Sequence, residues 1–136
     1  MVYFVGAGSG APDLITVRGA RLLNTADQII YAGSLVNPGV LDDKKESAVV
    51  YDSAKMTLEE VVEKIQEAES TGKMTVRLHT GDPCVYGAIR EQKDELDKLN
   101  LSYKEYPGVS SFCGAASALK LDSTLPRVQP HVTNPR

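Results

Sequence analysis

Short strand-like segments alternate with stretches of helical periodicity along most of the chain. The pattern predicts strands at residues 2–5, 28–31, 48–51, 74–78 and 103–106, bounded by glycine, proline or polar residues. Strands that alternate with helices are typical of βα units, whose parallel sheet is covered by helices on both faces. We therefore predict an α/β fold of three layers (αβα) around a mainly parallel sheet, with residues 1–123 as one domain.

Capping residues indicate where two of the predicted helices begin. Thr16 and Thr57 precede helical stretches as N-caps, and Glu60 completes a capping box with Thr57. Further helices are predicted over 87–99 and 110–119, and the small residues of the last one would let it lie close against the sheet. Asp94 and Lys98 are predicted to form an i,i+4 ion pair. The apolar side chains expected to face inward are Val17, Ala20, Leu22 or Leu23, Leu58, Val61, Val62, Ile65, Ile89, Leu96 and Leu99.

Composition excludes several classes of protein. The 136 residues are 42% hydrophobic and 24% charged, as in an ordinary globular domain. With 15 basic and 18 acidic side chains the net charge is -3, so we expect no nucleic-acid partner. No apolar run approaches the roughly 20 residues of a spanning helix, and the opening residues lack the basic flank of a signal peptide. We therefore expect no membrane partner and a cytoplasmic location.

The residues that usually perform catalysis are scarce. Cys84 and Cys113 fit neither a CxxC metal motif nor a disulfide framework, and we expect both to be reduced core residues. The sequence contains no recognisable metal spacing, paired carboxylates, Ser/His/Asp set or GxxxxGK[ST] loop, so we expect no metal and name no catalytic residue. A reaction whose reactive group is carried by a cofactor needs the protein mainly for positioning and for exclusion of water.

A glycine-rich segment, Gly6-Ala7-Gly8-Ser9-Gly10, follows the first predicted strand. It fits the loose dinucleotide pattern GxGxxA, but Pro12 and the Thr16 cap delay the helix that should open inside the glycine turn. Asp27 precedes the second strand, whereas ribose recognition needs an acid at the carboxyl end. We reject a dinucleotide site. The glycines either make only a tight turn or let a bulky ligand approach the backbone.

The loop at 80–87, Thr-Gly-Asp-Pro-Cys-Val-Tyr-Gly, joins a predicted strand to a predicted helix. In α/β folds such junctions lie at the sheet edge where ligands bind. Gly81 permits a positive φ or a close approach, and Pro83 stiffens the turn. Asp82 either closes an Asx turn or accepts hydrogen bonds from a ligand. His79 is expected to be a strand-end side chain rather than a base, because nothing nearby in sequence would orient it.

A second junction of this kind is Pro107-Gly108-Val109-Ser110-Ser111. Ser110 either caps the following helix or, with Ser111 and the first-turn amides, holds a carboxylate or hydroxyl of a ligand. The sequence leaves both roles open.

Three dispersed motifs resemble those of one known family, the tetrapyrrole methylases. GAGSGAPDLIT at 6–16 is similar to the family's GAGPGDPDLIT, with Ser9 and Ala11 where the family has Pro and Asp. HTGDP at 79–83 with YG at 86–87 is similar to its GDPxxYG loop, and PGVSSF at 107–112 to its PGVSSF segment. The resemblance runs from residue 2 to about Pro126.

The resemblance implies an enzyme that uses S-adenosylmethionine to methylate ring carbons of a tetrapyrrole. It also implies two αβα domains, usually in a homodimer, with the cofactor between the domains and the macrocycle in a trough beside it. Positions matching cofactor contacts are Gly81, Asp82, Pro83, Val85, Tyr86, Ser110 and Ser111. The loop Gly8, Ser9 and Gly10 would face the macrocycle.

Within the family, YAGSLV at 31–36 is most similar to the branch that methylates C11 of precorrin-4 or cobalt-precorrin-4. Two alternatives stay open: another branch, acting on uroporphyrinogen or on a protein or RNA, and a non-catalytic module that only folds and dimerises. Since the resemblance covers about the first half of family members, we expect the C-terminal domain to be absent. We also expect this chain to be inactive or impaired, and 124–136 to be an extended or disordered tail.

Overall fold

A computed structural model describes residues 1–85 and 87–122. Within these ranges a five-stranded sheet has the order β3-β2-β4-β1-β5, and every pairing is parallel. The strands are β1 (Val2–Gly6), β2 (Gln28–Tyr31), β3 (Val49–Asp52), β4 (Thr75–His79) and β5 (Tyr103–Tyr106). The predicted α/β class and parallel sheet are confirmed, with strand ends within one residue of the predicted ones.

Four α-helices occur in the same ranges: α1 (Val17–Thr25), α2 (Leu58–Ser70), α3 (Arg90–Lys98) and α4 (Ser111–Ala118). Both predicted threonine caps are confirmed. The hydroxyl of Thr16 accepts a hydrogen bond from Gly19 N at 3.0 Å, and that of Thr57 accepts one from Glu60 N at 3.2 Å. Such caps are each worth about 1 kcal/mol, and they fix where the chain turns from loop into helix.

Two hydrophobic cores lie on opposite faces of the sheet. On one face Leu23 of α1 packs with Val5, Ile29 and Val76, and on the other Ile65 of α2 and Leu96 of α3 pack with Phe4. Neighbouring residues of β1 point to different cores because side chains alternate along a strand. Burying such a side chain stabilises the fold by about 1.5–3 kcal/mol. The predicted three-layer αβα arrangement is therefore confirmed.

Helix α3 differs from its prediction in three respects. It begins at Arg90 rather than at 87, because Ala88 adopts a positive φ of 48° that interrupts the helical path. Leu99, predicted to face inward, is 38% exposed at its end. Lys98 pairs with Glu95 at 2.7 Å instead of with Asp94, so the predicted i,i+4 pair is wrong and an i,i+3 pair replaces it.

Three packing predictions are also wrong. Val17 is 69% exposed, because Gly19 and Leu23 provide the inward face of α1. No described residue of α4 is buried, so its small side chains do not bring it against the sheet. Cys84 and Cys113 are free but exposed rather than in the core, since one lies in the loop after β4 and the other on α4.

Two predictions lie outside the described residues, namely the tail at 124–136 and the placement of Tyr86. Among the residues that the structure describes, no helix is long and apolar enough to cross a membrane.

Candidate functional site at the carboxyl edge of the sheet

The order of the strands identifies one point on the carboxyl edge of the sheet where a ligand is expected to bind. From β1 the chain reaches β2 through α1 on one face, whereas from β4 it reaches β5 through α3 on the other face. The loops after these adjacent strands therefore diverge and leave a crevice between them. In open α/β sheets such a switch point is where ligands bind. All three loops singled out in the sequence meet there.

The loops after β1 and β4 are joined through their backbones. Gly81 N donates to Gly8 O at 2.8 Å and Gly8 N donates to Gly81 O at 3.3 Å, which forms an isolated antiparallel bridge. Ala7 N also donates to His79 O at 2.6 Å. Gly8 and Gly81 have φ values of 86° and 61°, a region that strongly favours glycine. The glycine-rich segment and the 80–87 loop are thus one structural unit.

The loop after β5 is held against this unit by close backbone contacts. A Cβ on Gly6 would overlap the carbonyl oxygen of Gly81 and lie 2.9 Å from the Cα of Gly108. A Cβ on Gly108 would overlap the same oxygen. The absence of side chains at these positions is what allows the three loops to converge.

Asp82 uses both carboxylate oxygens within the protein. Oδ1 accepts a hydrogen bond from Cys84 N at 2.7 Å, which closes the predicted Asx turn. Oδ2 accepts one from Gly108 N at 2.9 Å and so connects the loops after β4 and β5. The structure therefore favours the Asx-turn alternative and adds a long-range contact that the sequence did not reveal.

The predicted cofactor positions of two loops lie next to each other. A Cβ on Gly81 would be 3.1 Å from both the amide nitrogen and the Oγ of Ser111, and 3.6 Å from the Cα of Ser110. Ser110 is the N-cap of α4, since its hydroxyl accepts a hydrogen bond from Phe112 N at 3.2 Å. Pro83 is fully buried beneath the loop, whereas Val85 is half-buried.

The predicted macrocycle-facing loop lines a separate small cavity of about 90 Å³. Gly8, Ser9 and Gly10 form one side, and Leu35, Val36 and Asn37, which follow β2, form the opposite side. The hydroxyl oxygen of Ser9 is buried without a hydrogen-bond partner among the described residues. A buried unpaired hydroxyl is unfavourable, and the Ser9 side chain lies against Gly114 of α4.

One positioning residue was missed by sequence reasoning. Asp52, the last residue of β3, accepts hydrogen bonds from Gly33 N at 2.8 Å and Ala54 N at 3.0 Å. These bonds hold the pKa of the Asp52 carboxyl below its usual value. Asp52 therefore fixes the start of the segment that supplies Leu35 and Val36 to the small cavity. An acid at a strand's carboxyl end, with a glycine just beyond the end of the neighbouring strand, is the signal that could have revealed it.

The titratable side chains near the loops are poorly suited to direct catalysis. His79 is buried, its Nε2 has no partner among the described residues, and burial together with the nearby Arg77 charge lowers its pKa to about 3. Burial, together with the Glu105 charge, raises the pKa of the Cys84 thiol, which disfavours the nucleophilic thiolate. His79 is thus a neutral strand-end side chain, in agreement with the prediction.

Comparison with known proteins gives consistent results. A family model of tetrapyrrole (corrin/porphyrin) methylases matches residues 1–136. The cobalt-precorrin-4 C(11)-methyltransferase of Methanocaldococcus jannaschii is 51% identical over 127 residues, which are 93% of this chain and 49% of the relative. The chain therefore spans about half the length of this curated relative.

Two solved structures share the fold. The structure of a cobalt-precorrin-4 methyltransferase superposes with a TM-score of 0.88 at 45% identity, covering 92% of this chain and 52% of that one. A uroporphyrin-III C-methyltransferase of Thermus thermophilus complexed with S-adenosylhomocysteine gives a TM-score of 0.71 at 30% identity, covering 85% and 47%. The likeness therefore covers most of this chain and about half of each solved chain.

Proposed function

Because the chain belongs to the tetrapyrrole methylase family, we propose that the edge of its sheet binds S-adenosylmethionine as part of a C-methyltransferase. We further propose that the protein methylates C11 of a precorrin-4-type macrocycle, with or without cobalt. The identity to the solved cobalt-precorrin-4 methyltransferase, 45% against 33% for a solved uroporphyrin-III enzyme, favours this branch over the alternatives. A cytoplasmic location and a homodimer belong to the same proposal.

The observation on which the proposal depends is the convergence of Gly81 with Ser110 and Ser111. Two loops that are distant in sequence meet here, with the backbone of Gly81 against Ser110 and Ser111 at the start of α4. A Cβ at Gly81 would press against Ser111 and separate the loops, so the glycine keeps the serines beside the loop where a ligand would bind. The residues present therefore fit the proposed cofactor, and Gly81, Ser110 and Ser111 would hold it.

When bound, S-adenosylmethionine supplies a methyl group already activated by a positively charged sulfur. The protein then has to position and shield the reactants rather than generate a strong nucleophile. Asp82 positions the loops, because both of its oxygens accept backbone N–H groups. His79 stays neutral and buried, so no proton transfer is assigned to it.

The small cavity beside Ser9 supports a role in macrocycle binding. It lies next to the Gly8–Gly81 bridge, so a group held there is close to the proposed cofactor loop. By rotating away from Gly114 of α4, the Ser9 hydroxyl would donate to a carboxylate or carbonyl oxygen of the macrocycle and so gain the partner that it lacks among the described residues.

The test is calorimetric titration of this chain with S-adenosylhomocysteine, the product form of the cofactor. We expect saturable binding to one site per chain. A folded sample that shows no heat of binding would contradict the proposed cofactor role of these loops on their own and would favour the non-catalytic module. A methyl-transfer assay with a full-length relative in which this half is exchanged tests the position of methylation, and a product methylated elsewhere than C11 would contradict the branch.

A further inference from the structure

Arg77 is a buried cation without an acidic partner. It lies in the middle of β4, beside Phe4 and Ile30 of the neighbouring strands, and is 7% exposed. Its Nε donates to Gln92 Oε1 at 2.8 Å and its Nη1 donates to Ile30 O at 3.2 Å. Both acceptors are neutral, and no carboxylate pairs with Arg77 in the part of the chain that the structure describes. A buried charge left uncompensated is costly, so this position favours an anion.

Arg77 borders a cavity with a volume of about 320 Å³. Such a volume is at the lower end of the range for small-molecule pockets. The polar side chains that line it are Ser53, Thr57, Arg77, Glu91 and Gln92. Gly81, Ser110 and Ser111, which would hold the cofactor, do not line this cavity.

Two helices begin at the same cavity. Thr57 and Leu58, at the amino end of α2, line one side, and Glu91 and Gln92, in the first turn of α3, line another. The N-cap of α3 is Ile89, whose side chain makes no capping hydrogen bond to the first turn. The amino ends of helices carry partial positive charge and free N–H groups, both of which favour oxyanions. The two helix ends and Arg77 therefore all favour the binding of an anion.

We propose that this cavity binds the oxyanion group of a small molecule, a carboxylate or a phosphate, through Arg77 and the amino ends of α2 and α3. The Thr57 hydroxyl accepts from Glu60 N and keeps its own hydrogen available for donation to the anion. Glu91 is the acidic side chain that borders the cavity, and it opposes binding. The inference does not rest on the proposed methyl transfer.

The test follows nuclear magnetic resonance signals of the 136-residue chain during titration with inorganic phosphate. We expect saturable shifts of the Arg77 Nε–H signal and of the Leu58 and Gln92 amide signals. A parallel titration with uroporphyrin, whose ring edge carries carboxylates, separates the two sources of an oxyanion. If uroporphyrin displaces phosphate, the natural group is a carboxylate of the macrocycle, and if it does not, the group is a free or nucleotide-borne phosphate.

Substitutions test the assigned charges. Glu91→Gln removes a like charge and should tighten phosphate binding by about threefold, the size of one such repulsion near water. Asp94→Asn is the matched control, because Asp94 is exposed on the same helix and does not line the cavity, and it should leave binding unchanged. Arg77→Gln should abolish the shifts while circular dichroism still reports the fold.

If Arg77→Gln does not fold, the proposal is tested by comparing the phosphate affinities of Glu91→Gln and Asp94→Asn. Absence of saturable shifts in the unmodified chain, or equal affinity in the two α3 variants, would overturn the proposal. Phosphate binding without binding of S-adenosylhomocysteine would contradict only the proposed function, and the reverse result would contradict only the oxyanion site.

Discussion

The carboxylate of Asp82 accepts a hydrogen bond from the backbone nitrogen of Gly108 at 2.9 Å, across two loops that follow different strands. The same side chain closes the turn at Cys84 with its other oxygen. One acid thus determines both the shape of the proposed cofactor loop and its distance from the start of α4. This arrangement makes Asp82 a positioning residue rather than a group that reacts.

Asp82→Asn is expected to weaken binding of S-adenosylhomocysteine about tenfold and to lower the free energy of unfolding by about 1–3 kcal/mol. An asparagine oxygen can keep the bond from Cys84 N, but its NH₂ group would then face the N–H of Gly108 without an acceptor. Urea denaturation and calorimetric titration measure the two effects, with Asp94→Asn as the control. An unchanged stability would mean that the bond to Gly108 does not hold the loops.

Gly81→Ala and Gly72→Ala form a matched pair. Both glycines have a positive φ, 61° and 71°, so each substitution should cost about 1–2 kcal/mol of stability. A Cβ at Gly72 meets no atom within 4 Å, whereas one at Gly81 lies 3.1 Å from Ser111 N. We expect Gly81→Ala alone to reduce S-adenosylhomocysteine binding, by at least tenfold. Equal affinities of the two variants in calorimetry would contradict the role assigned to Gly81.

His79 should make the protein sensitive to acid. Its pKa is about 3 in the folded state and about 6.5 when unfolded, so below pH 6.5 only the unfolded chain takes up this proton. Stability is therefore complete above the unfolded pKa and falls as the pH decreases towards the folded one. Between pH 7 and pH 5 the loss from this group is about 2 kcal/mol.

The measurement is urea denaturation of the native chain and of His79→Gln at both pH values. The variant lacks the titrating imidazole, whereas all other acidic and basic groups are shared. We expect the native chain to lose about 2 kcal/mol more than the variant between pH 7 and pH 5. Parallel losses in both proteins would show that His79 is not buried in its neutral form.

Ser9 and Gly114 should behave as a coupled pair. A Cβ on Gly114 would lie 2.5 Å from the Cβ of Ser9, so Gly114→Ala forces α4 away from the opening loop. We expect a loss of roughly 1–2 kcal/mol, since the clash outweighs the gain in helix propensity. Adding Ser9→Gly removes the clashing atom and should restore most of that stability in thermal denaturation. Strictly additive effects in the double variant would contradict this contact.

The elements that the sequence predicted best are those with strong local signals. Thr16 and Thr57 marked the helix starts because capping depends on residues three positions away, and the resemblance of the loops indicated the family. The start of α3 was wrong because Ala88 adopts a positive φ that an alanine rarely shows. The sequence also could not predict that Lys98 pairs with Glu95 instead of Asp94, because the free energies of alternative exposed ion pairs differ by only a few tenths of a kcal/mol.

Long-range relationships could not be predicted from local patterns. The bonds from Asp82 to Gly108 and from Gly33 to Asp52 depend on which strands become neighbours in the sheet. The burial of Arg77 is likewise a property of its central strand, because the segment Thr75–His79 reads as an ordinary buried strand with one basic residue. The cavity beside it was therefore missed altogether.

The pairing of β1 with β4 also has a consequence for how the protein folds. Val2 pairs with Thr75 and with Tyr103, so the first strand acquires its neighbours only after these much later residues have been synthesised. Such non-local contacts slow folding, because a long loop must close before any of its contacts can stabilise it. Until β5 arrives, the hydrogen-bonding edge of β1 is open to strands of other molecules. Shorter amino-terminal fragments should therefore aggregate rather than retain part of the site, and the crevice should form in one late, cooperative step.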